Sequence, residues 1–187
     1  MCLNSILISG LPGVGRTAIA KHLSEVLNWE FYSIGVFLRE EYQKIHDLDP
    51  EHALPFEEWW SHKHRREENE RLEAEAREKI ARGNIVATIK YPLPEIYPDS
   101  LRVFLTAPED TRVAWHSEGR DPEEVRSELR NRGAFESLVG KEMYGFRSPR
   151  GKNYDYEDPN NYHMVLSTEE NRKEDIERII IARLNDY

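Results

Sequence analysis

The sequence predicts a three-layer α/β fold built on a parallel five-stranded sheet. The apolar run Ile6–Ile8 lies in a segment that is apolar on both faces, as is typical of a central parallel strand. A glycine-rich segment and then a helical pattern follow it directly, and strands and helices continue to alternate along the chain. Alternation of this kind joins neighbouring parallel strands through helices that cover both faces of one sheet.

Hydrophobic periodicity and turn residues give the order of the elements. Strands are expected at residues 3–9, 31–33, 84–89, 101–105 and 162–166. Helices are expected at residues 17–27, 35–45, 56–82, 106–117 and 121–144, with a last one around 176–184. Capping-box spacing predicts helix starts at two pairs, Thr106 with Glu109 and Ser167 with Glu170. Gly133 and Gly140 are positions where the helix over 121–144 can break.

Composition restricts the class of protein. The chain has 187 residues, enough for one domain with a sizeable core, and a formal net charge of −9. This acidic balance argues against broad, non-specific binding to nucleic acid or to an anionic membrane. The lone cysteine, Cys2, cannot form an internal disulfide, which fits a reducing cytoplasm. The first apolar run is too short for a secretory signal, and no stretch approaches the about 20 apolar residues of a membrane span, so a cytoplasmic protein is expected.

The segment Gly10–Thr17 (GLPGVGRT) follows the first strand directly. Glycines let the backbone approach phosphate oxygens closely, and the start of the next helix adds N–H groups and partial positive charge. The segment therefore predicts a nucleotide phosphate-binding loop rather than a plain strand-to-helix turn. Thr17 stands where a hydroxyl binds Mg²⁺, and Arg16 stands where the motif has lysine. Arg16 either reaches the phosphates through its forked guanidinium or turns outward and leaves a weaker site.

From this loop onward the sequence resembles the P-loop nucleoside monophosphate kinases, and within them it is most similar to the archaeal-type cytidylate kinases. The segments that carry the resemblance are ILISGLPGVGRT (6–17), SIGVFLRE (33–40), GNIV (83–86), VFLTAPEDTR (103–112), MYG (143–145) and NYH (161–163). The resemblance implies a single P-loop kinase domain over residues 1–187 that works as a monomer. An acceptor-binding helical region would lie at about 35–82, and a lid at about 119–150.

The resemblance also implies roles for individual residues. ATP and Mg²⁺ would be the cofactors, with Mg²⁺ at Thr17. The donor phosphates would be held by Gly10, Pro12, Gly13, Val14, Gly15, Arg16 and Thr17. Arg39 and Lys90 would bind the acceptor, and Arg132 would close over the transferred phosphoryl group. Arg16, Arg39 and Arg132 are therefore the expected catalytic residues.

Other charged residues permit a plainer interpretation. Arg120, Arg126 and Arg130 are further lid candidates, but they alternate with acidic residues and equally fit a solvated ion-pair face. The segment Lys63–Arg82 interleaves basic residues with glutamates, which favours an exposed helix over a nucleic-acid-binding patch. The histidines show no spacing typical of zinc ligands.

Several positions depart from the related kinases. Val36 replaces a common acidic residue, Lys90 replaces an arginine and follows Ile89 where a glycine is usual, and His163 replaces an aspartate. The first expectation is transfer of phosphate from ATP to a nucleoside monophosphate, with CMP or dCMP foremost. The alternatives are a small non-nucleotide acceptor, or a nucleotide-binding regulatory module with weak or no catalysis. The expected partners are small-molecule nucleotides, not nucleic acid or a membrane.

Overall fold

The computed structural model describes residues 3–48, 64–144 and 155–187. The strands are β1 Ser5–Gly10, β2 Glu30–Ser33, β3 Ile85–Thr88, β4 Ser100–Thr106 and β5 Met164–Ser167. The helices are α1 Arg16–Leu27, α2 Ile34–Leu48, α3 His64–Arg82, α4 Glu109–His116, α5 Pro122–Tyr144 and α6 Lys173–Asn185, with a short 3₁₀ helix, Pro159–Asn161, before β5. The strands form one sheet in the order β2-β3-β1-β4-β5, and every neighbouring pair is parallel.

The sheet is covered by helices on both faces. Because successive side chains of a strand point to opposite faces, Ile6 and Ile8 of β1 pack on one face and Leu7 on the other. On the first face they meet α1 and α6, through residues such as Leu23 and Ile176. On the second face Leu7 meets α3. This is the three-layer α/β arrangement with a parallel five-stranded sheet that the sequence predicts, and that prediction is confirmed.

The strand register places the glycine-rich loop at the edge of the sheet where ligands bind. β1 lies between β3 and β4, and Gly10 at its carboxyl end is paired with Leu105. On the other side Ile8 is paired with Thr88, the last residue of β3. The segments that follow β1 and β3 therefore leave the sheet side by side, at the carboxyl ends of parallel strands.

The structure corrects three details of the predicted helices. Thr106 stays in β4, and α4 begins at Glu109 with Pro108 as its N-cap and no side-chain cap, so the first predicted capping box is wrong. At the second pair, the Glu170 amide donates to Ser167 Oγ at 3.2 Å, but this bond closes a turn and α6 begins only at Lys173. α5 runs unbroken from Pro122 to Tyr144, because the neighbours of its glycines are strong enough helix formers to continue the helix.

Part of one predicted helix lies outside the described residues. The helix expected over 56–82 is seen from His64 onward as α3, and residues 56–63 are not among those described. Within the described ranges, no helix combines the length and the apolar character that crossing a membrane would require.

Candidate active site

The loop between β1 and α1 has the backbone geometry of a tight anion-binding turn. Gly10 has φ of 149°, and a Cβ atom built on it would lie 2.3 Å from the carbonyl oxygen of Leu105, so only glycine fits there. Gly15 is the N-cap of α1 and adopts the left-handed conformation, with φ of 81°. The Leu11 amide donates to the Leu105 carbonyl at 3.2 Å, which fixes the start of the loop against β4.

The amino end of α1 is open to an anion. Its N-cap supplies no side-chain hydrogen bond, and its first turn contains no acidic residue. The unpaired N–H groups and the positive end of the helix dipole favour phosphate at this place. Thr17 is the second residue of the helix, and its hydroxyl has no hydrogen-bond partner within the part of the chain that the structure describes. The glycine turn, the open helix end and this oxygen fit nucleotide phosphates and a hard cation such as Mg²⁺.

Two side chains of α4 hold the carbonyl groups of the loop. Arg112 Nη1 donates to the carbonyl oxygen of Pro12 at 2.9 Å, and Arg112 Nε donates to that of Ala107 at 3.1 Å. His116 Nε2 lies 3.1 Å from the carbonyl oxygen of Gly13. With these carbonyls engaged on the α4 side, the loop is fixed in shape. The sequence assigned no role to Arg112 or His116, since both reach the loop only through tertiary contact.

Lys90, just beyond the end of β3, extends toward the phosphate loop. Its side chain is 13% exposed and forms an ion pair with Glu136. Its Nζ donates to the carbonyl oxygen of Gly10 at 3.4 Å and lies 4.0 Å from the centroid of the Tyr156 ring. Burial and the nearby charge of Arg16 lower the pKa of Lys90 to about 8, although Glu136 opposes the shift. Lys90 therefore remains mostly charged at neutral pH.

Glu136 of α5 lies where the cations meet. Its Oε1 is 3.5 Å from Arg16 Nη2 and 3.1 Å from Arg132 Nε, and its Oε2 pairs with Lys90 Nζ. The side chain is only 19% exposed. Burial alone would raise the pKa of Glu136, but the charges of Arg16, Lys90 and Arg132 outweigh it and lower the pKa to about 2. The carboxylate is thus ionised at neutral pH.

Glu136 was not predicted from the sequence. Its one visible signal was the spacing of four residues from Arg132, which allows an ion pair on a helix but occurs on many exposed helices. The burial of Glu136 and its contacts with α1 and with Lys90 depend on how α5 lies across the sheet.

The charge of Arg39 interacts with those of Arg16, Arg132 and Glu136. Desolvation and the like charges of Arg132 and Arg16 lower its pKa, and the charge of Glu136 acts in the opposite direction. Among the residues that the structure describes, no hydrogen bond or ion pair engages the Arg39 guanidinium. The structure therefore brings together all the cations to which the resemblance assigns work on the phosphates: Arg16, Arg39, Lys90 and Arg132.

Two tyrosines and an apolar contact hold α5 over the loop. The Tyr91 hydroxyl donates to the backbone carbonyl of Glu136, and the Tyr91 ring packs edge-on against Tyr156, with centroids 5.7 Å apart. A Cβ atom built on Gly13 would lie 3.1 Å from Leu129 Cδ2 of α5, so this helix directly contacts the loop. The helix that carries Arg132 is thus anchored from the segment after β3 that carries Lys90.

The remaining lid candidates have carboxylate partners. Arg120 Nη2 lies 2.7 Å from Glu128 Oε2. Arg126 and Arg130 both pair with Glu109 of α4, at 3.0 and 2.8 Å. The two pairs with Glu109 tie α4 to α5, and all three arginines fit the ion-pair interpretation of the sequence. Arg132 instead faces the site, where it pairs with Glu136.

Two of the unusual positions have local structural roles. The Val36 amide donates to Ser33 Oγ at 3.4 Å, and Ser33 Oγ also accepts from Thr88 Oγ1 at 2.6 Å, which links the ends of β2 and β3. His163 Nδ1 accepts from the Arg102 amide at 3.0 Å. Burial and nearby arginine charges lower the pKa of His163 to about 4, so it is a neutral acceptor beside β4.

A small cavity of about 120 Å³ lies between α2 and α3. It is lined by Phe37, Glu40, Glu41, Lys44, Arg71, Leu72 and Glu75. None of the cations around Glu136 lines it, so it is separate from the site described above.

The central strand of a parallel sheet leads through a glycine-rich loop into an open helix end, and cations gather beside that loop. This combination is typical of a kinase-like P-loop protein. The model of the cytidylate kinase-like family matches residues 5–170, and the chain belongs to that family. A comparison with curated proteins gives no match.

Solved structures share the fold over almost the whole chain. An uncharacterized protein from Eubacterium ventriosum ATCC 27560 is 15% identical, with a TM-score of 0.67 and 99% of each chain covered. A gluconokinase from Sinorhizobium meliloti 1021 is 16% identical, with a TM-score of 0.57 and coverage of 99% of this chain and 93% of that one. A shikimate kinase from Aquifex aeolicus vf5 is 18% identical, with a TM-score of 0.53 and coverage of 97% and 96%. The predicted P-loop fold and kinase-like family are confirmed, while the archaeal type and the acceptor remain predictions.

Proposed function

We propose that the protein transfers a phosphoryl group from ATP, with Mg²⁺, to a nucleoside monophosphate, and that CMP or dCMP is the preferred acceptor. The observation that carries this proposal is the convergence of Arg16, Lys90 and Arg132 beside the phosphate loop, with Arg39 close enough for their charges to affect it. Membership of the cytidylate kinase-like family supports the same class of acceptor.

The arrangement suits phosphoryl transfer, which needs positioned reactants and compensation of spreading negative charge more than a covalent nucleophile. Arg16 begins α1 and so adjoins the place of the donor phosphates. Lys90 and Arg39 approach from the segments that follow β3 and β2 and would hold the acceptor phosphate. Arg132 shares the Glu136 carboxylate with Arg16 and Lys90, and its planar guanidinium can bind two oxygens at once. A Mg²⁺ ion bound at Thr17 would neutralise charge on the donor phosphates.

Transfer must also be favoured over hydrolysis. α5 packs on the loop through Leu129, and Tyr91 anchors it at Glu136. A helix held over the phosphates limits the access of water to the reacting group. In this proposal, therefore, α5 is the lid, and its anchoring serves transfer to the acceptor.

The chain would act as a monomer in the cytoplasm on small-molecule nucleotides, in the manner of the archaeal-type cytidylate kinases. Size-exclusion chromatography with light scattering would test the monomer, and a dimer at micromolar concentration would contradict it.

The test is an ADP-release assay with ATP and Mg²⁺ across a panel of acceptors. CMP, dCMP, UMP, AMP, GMP, gluconate and shikimate are each compared with ATP alone. We expect CMP or dCMP to give the fastest release. Release with gluconate or shikimate alone would favour a small non-nucleotide acceptor. ATP binding without release in any mixture would favour a regulatory module and reject the proposal.

A further inference from the structure

Glu136 is a mostly buried carboxylate at the point where the proposed phosphate-binding cations meet. One of its oxygens is shared by Arg16, at 3.5 Å, and Arg132, at 3.1 Å, and the other pairs with Lys90. Carboxylate and phosphate oxygens are alternative partners for the same cations, because arginine and lysine bind both by charge-assisted hydrogen bonds. The carboxylate therefore uses the donors that a phosphate group would need.

We propose that Glu136 is an internal competitor for the phosphate site, and that its side chain must leave the cations before a phosphate-bearing ligand binds them. The identity of the ligand rests on the proposed function, but the competition itself concerns only the anion. Glu136 then sets the affinity of the site and keeps its cations paired while the site is empty.

The charges argue against a carboxylate that stays in place with phosphate bound. Glu136 contributes one negative charge against three directly paired cations, so the cluster retains positive charge for an incoming anion. A phosphate that reached the same donors beside the carboxylate would bring like charges together in a site with little exposure to water. Exchange of one anion for the other avoids this repulsion.

The fold allows the exchange without movement of the helix. The Tyr91 hydroxyl holds the backbone carbonyl of Glu136, not its carboxylate. The helix can remain anchored while the flexible glutamate side chain rotates to another rotamer. The arginines it leaves are long enough to turn toward the phosphate loop.

The size of the effect follows from the population of the paired state. If Glu136 occupies the cations in all but about one tenth of the molecules, removal of its charge raises the apparent affinity for phosphate about tenfold. The neutral, nearly isosteric Glu136→Gln variant makes this change. Glu123→Gln is the matched control, since it removes the same charge from the same helix at an exposed carboxylate that pairs with Arg126.

The experiment is calorimetric titration of the full-length protein with inorganic phosphate at constant ionic strength in chloride. Glu136→Gln should bind phosphate about tenfold more tightly than the parent protein, and Glu123→Gln should bind as the parent does. Equal or weaker binding by Glu136→Gln overturns the proposal, as does equal tightening by both variants. No measurable binding in either the parent or Glu136→Gln overturns it as well.

A second variant guards against a folding defect in the first. Glu136→Asp keeps the charge but shortens the side chain, so phosphate affinity should rise by less than in Glu136→Gln. In thermal unfolding, added phosphate should raise the Tm most in Glu136→Gln, less in Glu136→Asp and least in the parent. The reverse order overturns the proposal.

The binding assay separates this inference from the proposed function. Tighter phosphate binding by Glu136→Gln without phosphorylation of any nucleoside monophosphate would support the competitor and reject the kinase. Rapid phosphorylation of CMP with unchanged phosphate affinity in Glu136→Gln would support the kinase and reject the competitor.

Discussion

Replacement of Gly10 by alanine tests the geometry on which the phosphate loop depends. The added Cβ atom would lie 2.3 Å from the Leu105 carbonyl oxygen and 3.0 and 3.1 Å from its backbone nitrogen and carbon. These are backbone atoms of β4, which is paired with β1 along its length, so they cannot move aside alone. The φ of 149° at Gly10 is a further penalty for any residue with a side chain.

The expected loss of stability is large. Overpacking against fixed atoms costs about 1–3 kcal/mol, and a strained backbone conformation costs a similar amount. The hydrogen bond from the Leu11 amide to Leu105, at 3.2 Å, would also weaken, at a cost of about 1 kcal/mol. Together these terms predict that Gly10→Ala lowers the free energy of unfolding by about 3–7 kcal/mol, a large part of the 5–15 kcal/mol typical of a domain.

Two other glycines provide graded controls. A Cβ atom on Gly15 or on Gly35 would meet nothing within 4 Å. Gly15 has φ of 81°, so Gly15→Ala should cost about 1 kcal/mol through backbone strain alone. Gly35 lies in α2, so Gly35→Ala should be neutral or stabilise by up to about 1 kcal/mol.

Urea unfolding followed by circular dichroism and tryptophan fluorescence measures the series. We expect the order Gly35→Ala, Gly15→Ala, Gly10→Ala from most to least stable. A Gly10→Ala protein within about 1 kcal/mol of the parent would refute the reasoning, because it would show that β1 and β4 do not approach closely at the start of the loop.

Three further predictions concern the cationic site. Arg132→Ala should weaken binding of a nucleoside monophosphate by about 10-fold to 100-fold, since a hydrogen bond between charged groups contributes about 1.5–3 kcal/mol. Arg130→Ala should bind as the parent does, and equal losses in the two variants would contradict the placement of Arg132 in the site. Sulfate, which stays dianionic, should bind more weakly as the pH rises through about 8, because Lys90 then loses its proton in a site shared with Arg16 and Glu136. In a calorimetric pH series, Lys90→Arg should remove this decline in affinity. Because the pKa of Glu136 is lowered to about 2, its contribution to stability is full above its usual pKa and is lost as the pH falls toward 2. The free energy of unfolding of Glu136→Gln should therefore depend less steeply on pH in the acid range, and the same pH dependence as in the parent would contradict this.

The parts of the fold that depend on local pattern could be predicted from the sequence. The buried run before Gly10 and the glycines after it are sufficient to place a strand, a tight turn and a helix. The helix starts were less predictable. Capping-box spacing occurs at Thr106 and Ser167, but the strands continue through both residues, because sheet pairing there outweighs a local cap.

The candidate site could be predicted only in part. The sequence singled out Lys90 and Arg132 through resemblance to related kinases, and both lie in the cationic cluster. Glu136 and Tyr156 were not predicted, because their contacts with Lys90 come from elements far apart in the chain. Periodicity describes neighbours on one element, and it carries no information on which side chains two distant elements bring into contact.

The proposed transfer of phosphate to a nucleoside monophosphate is tested most directly by ³¹P nuclear magnetic resonance of a mixture of the protein, ATP, Mg²⁺ and CMP. Phosphoryl transfer to CMP would make ADP and CDP appear in equal amounts and leave inorganic phosphate near its starting level. Loss of ATP with release of inorganic phosphate but no CDP would contradict it. An unchanged spectrum for CMP and for every other nucleoside monophosphate would also contradict it.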